Sequence, residues 1–216
     1  MENRQSLTQL NAAEQRVMGS LIEKSRTTPD YYPMTISALT NACNQKTSRN
    51  PVVNYDEETV TLTLNALKIK GLISTATGGS SRVIKYKHNL AIVYPLVPSE
   101  LSVLCLLFLR GPLTPGEINT NSSRLYEFET IEEIQNILHK LSVEEPPYVV
   151  QLQKKPGQKE ARYQHLFGTG PSEPDVPVIA TDTTQPAEPE ALELRVTKLE
   201  QEVEELKEMI NILLNQ

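Results

Sequence analysis

Apolar positions along the first ninety residues follow a helical period three times and then a strand period. Asn11 with Glu14 three residues on resembles a capping box, and Val17, Leu21 and Ile22 continue as one helical stripe that stops before Thr27-Thr28-Pro29. Thr35 is placed to cap a shorter helix carrying Ile36, Leu39 and Cys43. Asp56 caps a third, in which Val60, Leu64 and Leu67 recur at i, i+4 and i+7, and Gly71 supplies its stop. Leu72-Ile73 then leads through Gly78-Gly79-Ser80-Ser81 to Arg82-Val83-Ile84-Lys85-Tyr86-Lys87-His88, two strand-like runs around a Gly-rich turn. Three helices and a hairpin make one unit.

The same order returns further on. Glu100, Val103 and Leu107 match Glu14, Val17 and Leu21 at a shift of 86, with Pro98 suited to the first helical position. Thr130 caps a helix with Glu133 at its third position, and Ile134, Leu138 and Leu141 match Val60, Leu64 and Leu67 at a shift of 74. Tyr148-Val149-Val150 opens a second hairpin that turns at Pro156-Gly157 and returns through Ala161 to His165. Repetition of cap, stripe and hairpin argues a duplicated module.

Beyond it, five prolines among Glu, Asp and Thr between Pro171 and Pro189 read as an unstructured linker. Leu192, Leu199, Leu206 and Leu213 then alternate with Val196, Val203 and Ile210 in a seven-residue repeat. β-Branched residues at a and Leu at d favour a parallel two-stranded coil, in which Arg195 faces Glu200 and Glu202 faces Lys207 of the second copy. The expected fold is therefore mainly α with small β wings (α+β). Two tandem winged helix-turn-helix domains, residues 1–92 and 93–170, are followed by a Pro-rich acidic linker at 171–189 and a coiled-coil helix at 190–216.

Charge sharpens this division. Residues from Pro171 onward carry 11 acidic and 3 basic side chains, a net of −8, leaving 18 basic and 16 acidic in the body, a net of +2. The overall acidity thus belongs to the tail. Cys43 and Cys105 sit in apolar helical patterns and read as small core residues. The amino-terminal residues lack an apolar signal region, and the apolar run Leu101–Leu109 is too short to span a bilayer, so a cytoplasmic protein without membrane contact is expected.

Enzyme signatures are missing from the sequence. His88, His139 and His165 lie far apart with no ligand spacing, so no metal or other cofactor is expected; the alternation with Tyr86 and Tyr163 makes His88 and His165 structural. Carboxylates fall on helix positions read as solvent-facing. Nucleic acid is the leading partner class, because the hairpins are basic. The candidate contacts to double-stranded DNA are Arg82, Lys85 and Lys87 on the first hairpin and Lys154, Lys155, Lys159 and Arg162 on the second. Lys46 and Arg49 in the long polar loop and Asn65 and Lys68 on the third helix complete the set. Against this stand Asp56-Glu57-Glu58 and Glu132-Glu133, acidic turns where a reading helix would meet phosphates. The chain is thus expected to be a dimeric DNA-binding protein of the transcription-regulator type, with Leu192, Val196, Leu199, Val203, Leu206, Ile210 and Leu213 forming the dimer contact. The alternative is a protein-interaction scaffold on the same fold.

The run Asn41-Ala42-Cys43-Asn44-Gln45-Lys46-Thr47-Ser48-Arg49-Asn50-Pro51-Val52, with Thr27-Thr28-Pro29, Arg124-Leu125-Tyr126-Glu127-Phe128 and Arg162-Tyr163-Gln164-His165-Leu166-Phe167, resembles the YceH family of bacterial proteins over roughly residues 10–167. The resemblance implies two winged-helix domains in tandem. It brings no established activity, substrate or site residues.

Overall fold

Asn11 closes a reciprocal cap. Its side chain accepts from the Glu14 N–H at 2.9 Å, while its own N–H donates to Glu14 Oε2 at 2.8 Å. A computed structural model of the chain describes residues 6–77, 83–154 and 157–168. From this cap α1 runs over Ala12–Thr27, followed by α2 (Ile36–Cys43), capped by Thr35, and α3 (Glu57–Ile69), capped by Asp56. Gly71 takes φ +73°, a left-handed turn that a side chain would oppose, and so ends the helical segment. β1 (Ile73–Ala76) and β2 (Lys85–His88) form an antiparallel pair with Ile73 opposite His88 and Ala76 opposite Lys85. Met34, between α1 and α2, adds a bridge to Tyr86 through two backbone hydrogen bonds of 3.0 and 2.8 Å.

After a short connecting helix, α4 (Leu90–Val93), the order repeats. α5 (Pro98–Arg110), α6 (Pro115–Ser122) and α7 (Ile131–Val143) are followed by β3 (Val149–Gln151) paired antiparallel to β4 (Tyr163–His165). Leu113 bridges to Tyr163 as Met34 does to Tyr86. The described chain is therefore α+β, helices with two small antiparallel sheets. The Gly78-Gly79 turn, Arg82, Lys155, Pro156, the linker and all seven heptad positions lie outside the described residues.

All described residues fall within one compact unit, bounded by Met1 and Asp175, and the buried apolar side chains of both repeats form one contiguous core. Its centre is α1 against α5. Every residue from Leu101 to Leu109 is buried, as the apolar run suggests. Gly19 permits the approach: a Cβ there would lie 2.8 Å from Leu109 Cγ and Cδ2. Cys105, the residue equivalent to Gly19 at the 86-residue shift, sets its thiol 3.4 Å from the Gly19 carbonyl. The two equivalent helices thus meet at equivalent positions. The start of the first repeat also meets the end of the second, since the Leu10 N–H donates to the Phe167 carbonyl at 2.6 Å. Phe167 packs edge-on against Tyr94 and Phe108, with ring centroids 5.2 and 5.6 Å apart.

Two carboxylates read as solvent-facing are instead buried. Glu14 and Glu100, at 2% and 3% exposure, each cap the start of their helix and also receive a lysine from their own repeat. Lys70, just past α3, reaches Glu14 at 2.6 Å, and Lys140 of α7 reaches Glu100 at 2.6 Å. One side chain thereby satisfies a helix terminus and fixes where the third helix ends against the first.

Buried cations shape the first repeat's long loop. Asn44 closes its ends on Tyr55, accepting from the Tyr55 N–H at 2.8 Å and donating to its carbonyl at 2.7 Å. Arg16, 4% exposed, donates from Nη1 to the Cys43 carbonyl at 3.0 Å and from Nη2 to the Pro51 carbonyl, and pairs with no carboxylate among the described residues. Burial, then the neighbouring Arg49 charge, depresses its pKa. Arg49 has a fully buried side chain and makes a two-pronged pair with Glu23, at 3.0 and 2.7 Å, while its Nε and Nη2 also donate to the Ala42 carbonyl. Burial alone would push the Glu23 carboxyl up; the Arg49 hydrogen bonds and charge outweigh it and hold the carboxyl below its ordinary value. The loop is therefore a tied structure and not a mobile basic arm.

Two stability changes follow from this packing. Gly19→Val should lower unfolding free energy by about 2 kcal/mol, because overpacking a close helix contact costs on the order of 1–3 kcal/mol. Arg49→Ala should cost about 3 kcal/mol or more, since it leaves Glu23 buried without its partner, whereas Lys46→Ala in the same loop should stay within about 0.5 kcal/mol. Denaturant titration of the three variants checks both; equal effects of the Arg49 and Lys46 changes would contradict the tied loop.

Candidate nucleic-acid interface

α3 buries Val60, Leu64 and Leu67 on its inner stripe, which leaves Asn65 and Lys68 exposed on the other face. The hairpin behind it is oriented by the same core. Tyr86 is held by the Met34 bridge, and the His88 N–H donates to the Tyr32 hydroxyl at 2.7 Å. Strand alternation then turns Lys85 and Lys87 to the opposite face, Lys87 exposed and Lys85 half-buried. Lys46 is exposed on the tied loop. Among the described residues none of these four lysines has a side-chain partner, so each charge remains available to a ligand.

Arg49 does not belong with them. The sequence reading puts it on the surface beside Lys46, yet its guanidinium is inside the body, fully engaged by Glu23 and backbone carbonyls. The polar pattern of the loop looks solvated because the groups that neutralise Arg49 come from α1 and α2, remote in sequence.

The second repeat presents a different surface. Lys154 and Lys159 are exposed on or near its hairpin, but Arg162 is also not the open phosphate contact expected of it. It donates through both terminal nitrogens to Glu117 at 2.7 Å and to the Pro112 carbonyl at 2.8 Å. Burial tends to raise the Glu117 pKa, but the Thr114 N–H and the Arg162 charge together hold it below its usual value. Glu132 and Glu133 on α7 line a shallow groove of about 460 Å³ with Val97 and Ile137, an acidic first turn like Glu57-Glu58 of α3, and the positions equivalent to Asn65 and Lys68 hold His139 and Ser142. The α3 surface carries its own exception: Leu62 and Ile69 are 64% and 88% exposed between the polar positions.

Other chemistry is quiet. His88 and His165 are both depressed to about 4 by burial, and His165 rests edge-on against Phe108 at 4.7 Å. That environment suits neutral structural rings, the role the Tyr–His alternation suggests. Cys43 and Cys105 are buried free thiols whose pKa values burial pushes up. Among the described residues no group of His, Cys, Asp or Glu is arranged to hold a metal ion, and no helix is long and apolar enough to cross a membrane. Sequence reasoning missed Arg16, Glu23, Arg110 and Arg124; single charged residues in amphipathic or polar stretches carry no signal that distinguishes a wet surface from a buried anchor.

Comparison with known proteins places the chain in company. Residues 10–158 match the family model described as a protein of unknown function, DUF480. A UPF0502 protein of Shewanella pealeana is 47% identical over 218 residues, covering 96% of this chain and 99% of its own length. A UPF0502 protein of Aliivibrio fischeri strain MJ11 is 45% identical over 215 residues, covering 94% and 96%. On that match the chain belongs to the DUF480 (UPF0502) family, of the YceH-like type.

Proposed function

We propose that the protein is a dimeric winged-helix DNA-binding protein of the regulatory kind, engaging duplex DNA through its first repeat. Helix, bridge, helix, helix and hairpin in that order is the arrangement in which a third helix and a protruding hairpin can both reach a duplex. The observation that carries the reading is the contrast between the repeats. In the first, Lys46, Lys68, Lys85 and Lys87 are unpartnered among the described residues and Asn65 is exposed, whereas in the second Arg162 is neutralised by Glu117 and the positions equivalent to Asn65 and Lys68 hold His139 and Ser142. Phosphate contact needs only available cations on a face that can lie against the backbone. The acidic first turn of α3 limits its approach, so the hairpin lysines carry most of the contact and sequence reading stays modest. The heptad tail supplies the second copy: a parallel coil keeps two bodies together and makes two half-sites the natural target.

A second reading has one specific observation behind it. Leu62 and Ile69, exposed seven residues apart on α3, are apolar where a groove-reading helix needs hydrogen-bonding side chains, and they suit contact with another protein.

The DNA reading predicts that full-length protein binds a duplex in fluorescence anisotropy at low salt, with a log–log salt slope of about 0.9 per phosphate neutralised. Lys85→Glu with Lys87→Glu should weaken binding at least about tenfold, two charge reversals at a little over 1 kcal/mol together. A folded protein with no detectable affinity at low salt would transfer the proposal to the Leu62–Ile69 surface. For the tail, deletion of residues 186–216 should halve the mass measured by light scattering and leave the body's unfolding temperature unchanged. Identical monomeric mass for both chains would remove the dimer.

A further inference from the structure

Where α1, the tied loop and the carboxyl end of α5 come together there is a partly enclosed cavity of about 140 Å³. Its wall carries Lys24, Arg110 and Arg124, with Thr47, Ser48 and Asn121 as neutral polar groups between them. The one carboxylate on the wall, Glu23, is already paired with Arg49; Lys24 lies 3.3 Å from it and also donates to the Gln45 side-chain oxygen at 3.3 Å. Neither Arg110 nor Arg124 donates a hydrogen bond or meets a carboxylate among the described residues, and the Arg110 Nε is buried with no partner at all. Two unpartnered arginines, with a partly engaged Lys24 beside them, thus line one cavity. An arrangement of this kind is costly unless something negative enters it, because like charges side by side repel and the buried Arg110 Nε–H, without an acceptor, has lost its hydration.

We propose that this cavity is a binding site for a compact oxyanion, inorganic phosphate or the phosphate of a small monoester, held by Arg110 and Arg124 with Lys24 as a third charge. The volume lies well below the roughly 300 Å³ at which pockets for larger organic ligands begin, so a tetrahedral ion suits it and a nucleotide does not. Guanidinium forks match phosphate oxygens two at a time, and hydroxyls such as Thr47 and Ser48 serve the remaining oxygens. The carboxyl-terminal dipole of α5 opposes an anion, but about half an elementary charge does not offset the two unpaired guanidiniums. The carbonyls that end α5 are also partly occupied, since the Asn50 N–H donates to the Leu109 carbonyl at 2.8 Å. The site lies on the seam between the repeats: Lys24 and the loop belong to the first, Arg110 and Arg124 to the second. Occupancy would therefore bridge them, independently of whether the first repeat binds DNA.

The test is the thermal unfolding of the full-length protein in inorganic phosphate against sodium chloride of equal ionic strength. Phosphate is expected to raise the unfolding temperature by several degrees over chloride, and Arg110→Gln with Arg124→Gln should abolish that difference. Arg124→Gln alone, at an exposed position where folding is not at stake, should reduce it, and Lys46→Glu outside the cavity should leave it intact. Glycerol phosphate in place of the free ion separates a mouth open to monoesters, which stabilises equally, from one closed around the bare ion, which does not; both outcomes belong to the same site. Equal unfolding temperatures in phosphate and chloride, or a phosphate effect undiminished in the double variant, would overturn the proposal.

Discussion

The close approach of α1 and α5 at Gly19 is the constraint from which the rest of the body follows. A hairpin of two short strands is marginal in isolation, and a three-helix unit of some eighty residues offers a small core. Placing the first helix of each repeat against its counterpart removes the apolar faces of both from water at once, including all of Leu101–Leu109. Gly19 supplies the missing volume on one side and Cys105, a small thiol, fills the same position on the other. The repeats are therefore halves of one core, and position 92/93 falls within α4.

With the helix pair fixed, buried charges set the remaining connections. Glu14 and Glu100 use the same device twice, capping a helix start while receiving a lysine from the third-helix segment of their own repeat. The lysines come from different places: Lys70 follows α3, whereas Lys140 lies within α7. The ionic contact is thus retained while the residue that supplies its positive half has moved by a turn. Such pairs contribute position more than net stability, because desolvation offsets much of their attraction. Arg49 and Glu23 extend the logic to the loop that only the first repeat possesses.

Much of this architecture could be read from the chain alone, and the reasons are local. Caps at Asn11, Thr35, Asp56 and Thr130 are made by side chains acting within three residues, so their spacing identifies the helix starts, and the glycine stop at Gly71 is equally local. The stripes Val60–Leu64–Leu67 and Ile134–Leu138–Leu141 are buried as their period implies. The short helix α4 was not legible, since four residues give no period. The charged residues divided less well. Lys46 and Arg49 sit three apart in one polar loop, one exposed and the other enclosed, and nothing in their immediate neighbours tells them apart; the difference lies with Glu23, twenty-six residues away. Arg162 is separated from an open cation in the same way by Glu117, forty-five residues distant. Long-range pairing is what a linear reading lacks, and surface chemistry depends on it more than the fold does.

The two repeats show how one architecture comes to bear two surfaces. Their inner stripes match position for position, because the shared core admits little variation in volume. Outer faces carry no such restriction. Where α3 has Leu62, Asn65 and Ile69, the equivalent α7 positions are Asn136, His139 and Val143, and only the last keeps its character. The first repeat's extra loop is laid across the end of α5, where the Asn50 N–H meets the Leu109 carbonyl, and so it contributes to the second repeat as much as to its own. Fixed by Arg16 and Arg49 from within, it lines the cationic cavity together with Arg110 and Arg124. The repeated order of elements gives the core its matched halves; the loop found only in the first half is also what joins the two at their polar edge.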